Sequence, residues 1–195
     1  MIEDKIWKSN PSNYIIGSDE VGRGSFAGPI GAASVRVNYE SIDLLMDVKD
    51  SKKLSPKKRN QIFELVQEKE IEYSYKERDN KFIDLYGIKL ANEKVLEDSI
   101  SSIFQDGDIV YVDHFKISKF NAISIIKGED NCRPIALASI VAKVLRDNFM
   151  IEISEEYNRY AFARNKGYGT KEHRLAIQKY GLSDFHRKSF NLMPK

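Results

Sequence analysis

Two hydrophobic patterns alternate along the chain. Short apolar runs of strand length are separated by longer segments in which apolar residues recur every three or four positions, as on one face of a helix. The predicted strands are residues 14–16, Ile30–Val37, 70–75, Ile109–Asp113 and 123–126, and the predicted helices are Pro56–Glu68, 84–104 and 134–157. Alternating strands and helices predict an α/β fold. The short connection between the first two strands favours antiparallel pairing.

Length and composition favour a single domain covering residues 1–195. A chain of 195 residues can bury one substantial core, and 42% hydrophobic with 31% charged residues is ordinary for a globular protein. Residues 1–13 are predicted to be a loosely ordered lead-in, and residues from about 157 to 195 a basic helical segment.

The sequence contains no membrane or secretion signal. No run approaches the roughly 20 apolar residues that span a bilayer, and the polar N-terminus lacks the build of a signal peptide. Cys132 is the single cysteine, which excludes an intrachain disulfide and a cysteine-based zinc site. We expect a cytoplasmic protein without membrane contact, and a monomer.

The charge is unevenly distributed. The whole chain carries +2, whereas residues 157–195 hold nine Lys or Arg against two acids, which is +7, so the remainder carries 2 − 7 = −5. An acidic body with a basic end fits a cation site beside a groove for a polyanion. A basic C-terminal helix that is simply exposed to solvent would give the same charge distribution. The charge distribution alone slightly favours this second interpretation.

The first predicted strand ends in two adjacent carboxylates, Asp19 and Glu20, followed by Gly22-Arg23-Gly24. Successive strand side chains point to opposite faces, so both carboxylates reach one pocket only if the strand ends or bulges there. The glycines permit an irregular turn and close approach of a ligand. Carboxylates beside such a turn suit a divalent cation and a phosphate, although an acidic pair alone is common on surfaces.

Asp113 repeats this arrangement at the end of the apolar strand Ile109–Asp113. In a sheet with parallel neighbours, ligands gather at the carboxyl ends of the strands. Asp113 is therefore a candidate third carboxylate of the same site.

The complete glycine-rich segment resembles the first signature of the ribonuclease HII family, Gly-x-Asp-Glu-x-Gly-Arg-Gly followed by Ala-Gly-Pro. The matching residues are Gly17, Asp19, Glu20, Gly22, Arg23, Gly24, Ala27, Gly28 and Pro29. Further stretches resemble the same family: Asp50-Ser51-Lys52-Lys53-Leu54-Ser55, Ala138-Ser139-Ile140, Lys166-Gly167-Tyr168-Gly169 and His186-Arg187-Lys188-Ser189-Phe190. The resemblance runs from about Tyr14 to Phe190, nearly the full chain.

One position departs from the family pattern. Aligned without a gap from Ala138-Ser139-Ile140, Glu129 falls where the family has aspartate, and Asp130 lies one residue later. Glu129 is the favoured fourth carboxylate, because its longer side chain still reaches a metal. Asp130 is the alternative.

The resemblance implies a ribonuclease H-like fold, with a mixed sheet of about five strands flanked by helices and a helical C-terminal extension. It implies an endoribonuclease that hydrolyses the RNA strand of RNA–DNA hybrids and nicks duplex DNA 5′ to embedded ribonucleotides, leaving a 5′-phosphate and a 3′-hydroxyl. Two Mg²⁺ or Mn²⁺ ions would be held by Asp19, Glu20, Asp113 and Glu129. The substrate-binding residues would be Gly22, Arg23, Gly24, Ser51, Lys52 and Tyr168.

Three alternatives stay open. A ribonuclease HIII-type enzyme is expected to carry a further N-terminal domain and to lack an arginine at the position of Arg23. Another metal nuclease of the same fold, such as a resolvase, would cut DNA without a ribonucleotide. A non-catalytic nucleic-acid-binding module is disfavoured by the acids, because carboxylates near a polyanion repel it unless a cation lies between them.

Three smaller expectations concern side chains near these motifs. The spacing of Lys143 and Asp147 predicts a salt bridge across one helical turn. The two histidines, His173 and His186, lack metal-ligand spacing, and we interpret them as helix or loop residues within reach of phosphate. Phe162 is expected to pack in the core.

Overall fold

A five-stranded mixed sheet forms the centre of the protein. The computed structural model describes residues 1–46, 48 and 54–192. The strands are β1 (Ile15–Val21), β2 (Ile30–Val37), β3 (Glu72–Arg78), β4 (Ile109–Asp113) and β5 (Ile123–Ile125), in the order β3-β2-β1-β4-β5. The pairs β1–β2 and β2–β3 are antiparallel, whereas β1–β4 and β4–β5 are parallel. The predicted mixed sheet flanked by helices is confirmed.

Helices cover both faces of the sheet. They are α1 (Ile2–Ser9), α2 (Ile42–Met46), α3 (Pro56–Glu68), α4 (Asn80–Tyr86), α5 (Ile88–Ser101), α6 (Gly128–Asn131), α7 (Arg133–Glu156), α8 (Phe162–Asn165) and α9 (Lys171–Tyr180). One core cluster lies between the sheet and α1, α2, α3 and α7, and a second lies between the sheet and α4 and α5. The short helices α8 and α9 form the C-terminal extension, which packs on the far end of α7 through a third cluster.

Strand alternation decides which carboxylate faces which helix. Ile15 and Val21 of β1 pack in the cluster under α7, and Ile16 packs in the cluster under α5. Because every second residue of a strand points the same way, Asp19 shares the α7 face with Ile15 and Val21.

The neighbouring strand β4 follows the same rule. Tyr111 packs on the α7 side of the sheet and Val112 on the α5 side, so Asp113 lies on the α7 side with Tyr111. The strands β1 and β4 run parallel with Ser18 opposite Val112. Two carboxylates, Asp19 and Asp113, therefore leave the sheet on one face and at one edge.

The prediction of a loosely ordered lead-in is wrong, because helix α1 forms there. The Trp7 side chain is 2% exposed and its indole Nε1 donates to the Asn13 carbonyl oxygen at 2.9 Å. The carboxylate of the buried Glu3 accepts a hydrogen bond from the backbone N–H of Arg133, the first residue of α7, at 3.2 Å. These contacts attach the N-terminus to the helix that covers the site.

The single helix predicted over residues 84–104 is also wrong, because Gly87, with φ of +83°, divides the region into α4 and α5. Helix α4 begins at Asn80, where the side chain of Asp79 accepts from the Phe82 N–H at 2.7 Å. Within α4, Asp84 accepts hydrogen bonds from the backbone N–H groups of Lys188 and Ser189. Asp84 therefore holds the C-terminal segment. Strand β3 occupies Glu72–Arg78 rather than residues 70–75.

Gly17 generates a stability prediction, because it lies where α7 crosses β1. A Cβ added at Gly17 would lie 2.1 Å from the carbonyl carbon of Pro134 and 2.4 Å from the nitrogen of Ile135. Backbone cannot rotate aside, so we expect Gly17→Ala to lower the free energy of unfolding by about 1–3 kcal/mol, measured by urea denaturation. The control is Gly24→Ala, whose Cβ would meet nothing within 4 Å and which should change stability by less than about 0.5 kcal/mol. Equal losses in both variants would contradict the argument.

Candidate active site

Three carboxylates converge at the carboxyl ends of β1 and β4. Asp19, Asp113 and Glu129 each offer an oxygen, and these oxygens all lie within 4.8 Å of one another. Asp19 is 4% exposed and Glu129 is 8% exposed, while Asp113 is partly buried. Three of the four predicted metal-site acids are therefore brought together.

A backbone donor and a side-chain donor fix two of the three acids. The Oδ1 atom of Asp113 accepts from the Gly128 N–H at 2.6 Å, which places the start of α6 against the end of β4. Glu129 is the next residue, and its Oε1 accepts from the Ser139 hydroxyl of α7 at 3.0 Å. The site is thus assembled from β1, β4, α6 and α7.

Glu20 lies at the margin of this trio. Strand β1 pairs regularly through Val21, so Glu20 points to the face opposite Asp19. The Glu20 N–H donates to Asp19 Oδ1 at 2.8 Å, and the Glu20 carboxylate lies 3.8 Å from the guanidinium of Arg23. Glu20 is nevertheless one of the residues that line the cleft beside the trio.

The structure separates the two candidates for the fourth acid. Glu129 is buried in the cleft. Asp130 is exposed on α6, and its N–H donates to the Lys127 carbonyl oxygen at 3.0 Å. Glu129 is the acid that faces Asp19 and Asp113.

Burial and like charge act together on Asp19. Its pKa is raised well above the usual range, first by burial and then by repulsion from Glu129 and Glu20. The pKa of Glu20 is raised as well, mainly by burial. Hard oxygen donors that repel one another are the donor set that a divalent cation satisfies, so these residues fit such an ion.

The trio lines a cleft of about 450 Å³. The cleft is also lined by the Gly22-Arg23-Gly24 turn, Arg59, Lys143 and Tyr168. The Lys143 ammonium pairs with Asp147 at 2.7 Å, which confirms the predicted salt bridge. Ser51 and Lys52, the other predicted substrate contacts, lie outside the described residues. Acidic groups and a basic, aromatic surface thus share one cleft.

A fully buried arginine, Arg146 of α7, packs against the Gly22-Arg23-Gly24 turn. Its guanidinium donates to the carbonyl oxygens of Pro29 at 2.8 Å, Lys166 at 2.9 Å and Ala27 at 3.2 Å. Gly22 has φ of +80°, and a Cβ there would lie 2.1 Å from Arg146 Nε. The sequence predicted no role for Arg146, although Arg146 and Asp147 match the ribonuclease HII string Lys-Val-x-Arg-Asp. A charged residue within the apolar run of α7 is a second signal.

A second fully buried arginine, Arg187, acts on the same turn. It donates to the carbonyl oxygen of Gly28 at 3.0 Å and of Arg23 at 2.9 Å. Arg187 therefore ties the turn to the C-terminal segment, and Arg146 packs against the turn from α7.

The predicted reach of His173 and His186 toward phosphate is wrong, because both side chains are fully buried. Their rings pack against Phe162, with centroid distances of 5.4 and 5.8 Å. Phe162 is itself fully buried, as expected.

The five-stranded mixed sheet and its flanking helices form a ribonuclease H-like fold. A solved ribonuclease H2 from Pyrococcus horikoshii OT3 shares the fold, with a TM-score of 0.76 and 21% identity over 92% of this chain and 94% of that chain.

In the part of the chain that the structure describes, no helix has the length and apolar content that a membrane crossing requires.

Sequence comparison identifies the family. The family model for ribonuclease HII matches residues 16–193. Ribonuclease HII of Clostridium botulinum (strain Loch Maree / Type A3) is 46% identical over 184 residues, covering 92% of this chain and 68% of that protein. Ribonuclease HII of Caldicellulosiruptor bescii is 44% identical over 191 residues, covering 97% and 91%. The chain belongs to the ribonuclease HII family, as its motifs predicted.

The placement of Glu129 and Asp130 generates a prediction about metal binding. We expect Glu129→Gln to weaken Mn²⁺ binding about tenfold or more, because it removes a buried charge that faces the other two acids. Isothermal titration calorimetry of the purified protein measures this.

Asp130→Asn is the matched control, since it removes one exposed charge from the neighbouring position. It should change Mn²⁺ affinity by about twofold at most in physiological salt. A large loss with Asp130→Asn and none with Glu129→Gln would contradict the assignment.

Proposed function

We propose that this chain hydrolyses the RNA strand of RNA–DNA hybrids and nicks duplex DNA on the 5′ side of an embedded ribonucleotide. The observation that carries the proposal is the cluster of Asp19, Asp113 and Glu129 beside the Gly22-Arg23-Gly24 turn and Tyr168. One cleft of a ribonuclease HII family member thus holds acids for a cation and groups that suit a nucleotide.

Asp19, Asp113 and Glu129, with Glu20 beside them, would hold Mg²⁺ or Mn²⁺, as two ions. When bound, such ions lower the pKa of a coordinated water and neutralise charge on the leaving oxygen. The chain itself keeps the acids in place: the Gly128 N–H holds Asp113, and the Ser139 hydroxyl holds Glu129.

The Gly22-Arg23-Gly24 turn and Tyr168 would recognise the ribonucleotide. The 2′-hydroxyl is the main feature that separates a ribonucleotide from surrounding DNA. The carbonyl oxygen of Arg23 is held by Arg187, and that of Gly22 accepts from the Ser25 N–H at 3.2 Å, so the turn is fixed before substrate arrives. Tyr168 is 37% exposed and lines the cleft, where its ring would stack on a sugar or base.

The bond that is broken determines the products. Attack of water on the phosphorus 5′ to the ribonucleotide breaks the bond from phosphorus to the preceding 3′ oxygen. The products are a 5′-phosphate and a 3′-hydroxyl.

The proposal predicts a ribonucleotide-dependent nick. A labelled DNA duplex with one ribonucleotide should be cut at its 5′ side in Mg²⁺ or Mn²⁺ and left intact in chelator, and an all-DNA duplex should be uncut. Denaturing gel electrophoresis measures the products. Cutting of both duplexes would indicate another metal nuclease of this fold, and binding without cutting in every metal would indicate a non-catalytic module.

The role of Tyr168 predicts a selective effect of its ring. Tyr168→Ala should raise the KM for the single-ribonucleotide duplex by about tenfold, because base–aromatic stacking contributes about 1–3 kcal/mol. Tyr168→Phe keeps the ring and should stay close to the wild-type KM. Initial rates over a range of duplex concentrations give both values. A Phe variant as impaired as the Ala variant would exclude stacking as the main contribution.

A further inference from the structure

Two histidines in the C-terminal extension form a buried pair beneath the cleft. His173 lies on α9 and His186 on the segment that follows it, and both are fully buried. Their Nε2 atoms are 3.1 Å apart and their ring centroids 5.2 Å apart. A hydrogen bond between two imidazole nitrogens needs one protonated and one bare nitrogen.

The outer nitrogens determine which histidine is the donor. His173 Nδ1 lies 2.9 Å from the Tyr168 carbonyl oxygen, which only accepts, so the proton of His173 is on Nδ1 and its Nε2 is bare. His186 Nδ1 lies 2.8 Å from the Ser183 N–H, which only donates, so the proton of His186 is on Nε2. A single arrangement satisfies every contact: Ser183 donates to His186, His186 to His173, and His173 to Tyr168.

The surroundings favour the uncharged form of both rings. Burial lowers the pKa of His173, and the neighbouring charge of Arg174 lowers it further. Burial and the presence of His173 lower the pKa of His186 to about 4. A proton added to His173 would also place two N–H groups against each other.

The series of hydrogen bonds that begins at Ser183 ends at Tyr168, which lines the cleft. The Tyr168 carbonyl oxygen accepts from His173 and from the Thr170 N–H at 2.8 Å, and the Tyr168 N–H donates to the Asn165 carbonyl oxygen at 2.9 Å. Neighbouring Gly167 is fixed through its own carbonyl oxygen, which accepts from the N–H groups of Phe26 and Ala27. The bond from His173 Nδ1 therefore anchors the main chain at Tyr168 itself to α9.

We infer that His173 is a positioning residue for ribonucleotide recognition: its Nδ1–H bond to the Tyr168 carbonyl oxygen holds the Tyr168 ring at the cleft, and His186 fixes the tautomer and orientation of His173. This inference rests on the proposed function, because Tyr168 is given its role there. The histidines touch neither substrate nor the carboxylates, and they act through the backbone of residue 168.

Two substitutions at His173 separate positioning from general stability. His173→Asn retains a donor near Nδ1 and loses the contact with His186, whereas His173→Gln retains an acceptor near Nε2 and loses the contact with Tyr168. Each variant removes one of the hydrogen bonds that link Ser183, His186, His173 and Tyr168. Both variants should therefore lower the melting temperature to a similar extent. Only His173→Gln should raise the KM for the single-ribonucleotide duplex, by about fivefold, with kcat within about twofold.

A double-mutant cycle completes the test. If His173 acts through the Tyr168 ring, His173→Gln should add nothing to KM in a Tyr168→Ala background. Equal KM values for the Asn and Gln variants, or an undiminished effect of His173→Gln in the Tyr168→Ala background, would overturn the inference.

A readout that needs no turnover keeps this test separate from the proposed function. In nitrogen-15 NMR spectra of the wild-type protein, His173 should show a protonated Nδ1 and His186 a protonated Nε2. The backbone resonances of Tyr168 should shift in His173→Gln and not in His173→Asn. Reversed tautomers, or equal Tyr168 shifts in both variants, would overturn the inference. Failure of the wild type to nick would contradict the proposed function alone.

Discussion

The repulsion among three clustered carboxylates, two of them buried, is the constraint on which the rest of the structure depends. Asp19 and Asp113 leave parallel neighbouring strands on the same face, and α6 adds Glu129 within 4.8 Å of both. Such a cluster is unfavourable unless donors and a cation offset the charge. The fold supplies the donors through the Gly128 N–H and the Ser139 hydroxyl. The close approach of α7 to β1 at Gly17, on the same face as Asp19, brings Ser139 into range.

Two buried cations organise the other side of the cleft. Arg146 and Arg187 are fully buried, and the hydrogen bonds that the structure gives them go to backbone carbonyl oxygens. A buried charge needs such partners, because an unsatisfied guanidinium is costly in an apolar surrounding. Their carbonyl partners include Arg23 in the turn and Lys166 just before Tyr168. The packing of the C-terminal extension and the shape of this side of the cleft thus depend on the same two side chains.

The part of the site that the sequence predicted is the part set by strand periodicity. An apolar run that ends in an acid identified Asp19 and Asp113, and the parallel pairing of β1 and β4 places them together. The role of Glu20 depended on whether β1 stayed regular at its end, which backbone geometry decides. The position of the short helix α6 separates Glu129 from Asp130. These two acids are adjacent in the sequence, but the helix buries Glu129 and exposes Asp130.

The features that the sequence did not predict depend on long-range contacts. Helix α1 is stabilised by burial of Trp7 and by a hydrogen bond to Glu3. The donor is the backbone N–H of Arg133 at the start of α7, 130 positions along the sequence. Gly87 ends α4 through a backbone conformation that apolar spacing does not record. The pairing of His173 with His186 is visible only after α9 folds back on the segment that follows it.

The central claim is that the carboxylate trio exists to bind a divalent cation. Anomalous diffraction from crystals grown with Mn²⁺ tests it most directly. The account predicts manganese density liganded by oxygens of Asp19, Asp113 and Glu129, with Asp130 pointing away into solvent. Manganese bound at Asp130, or crystals whose cleft stays empty while the three carboxylates keep their positions, would contradict it.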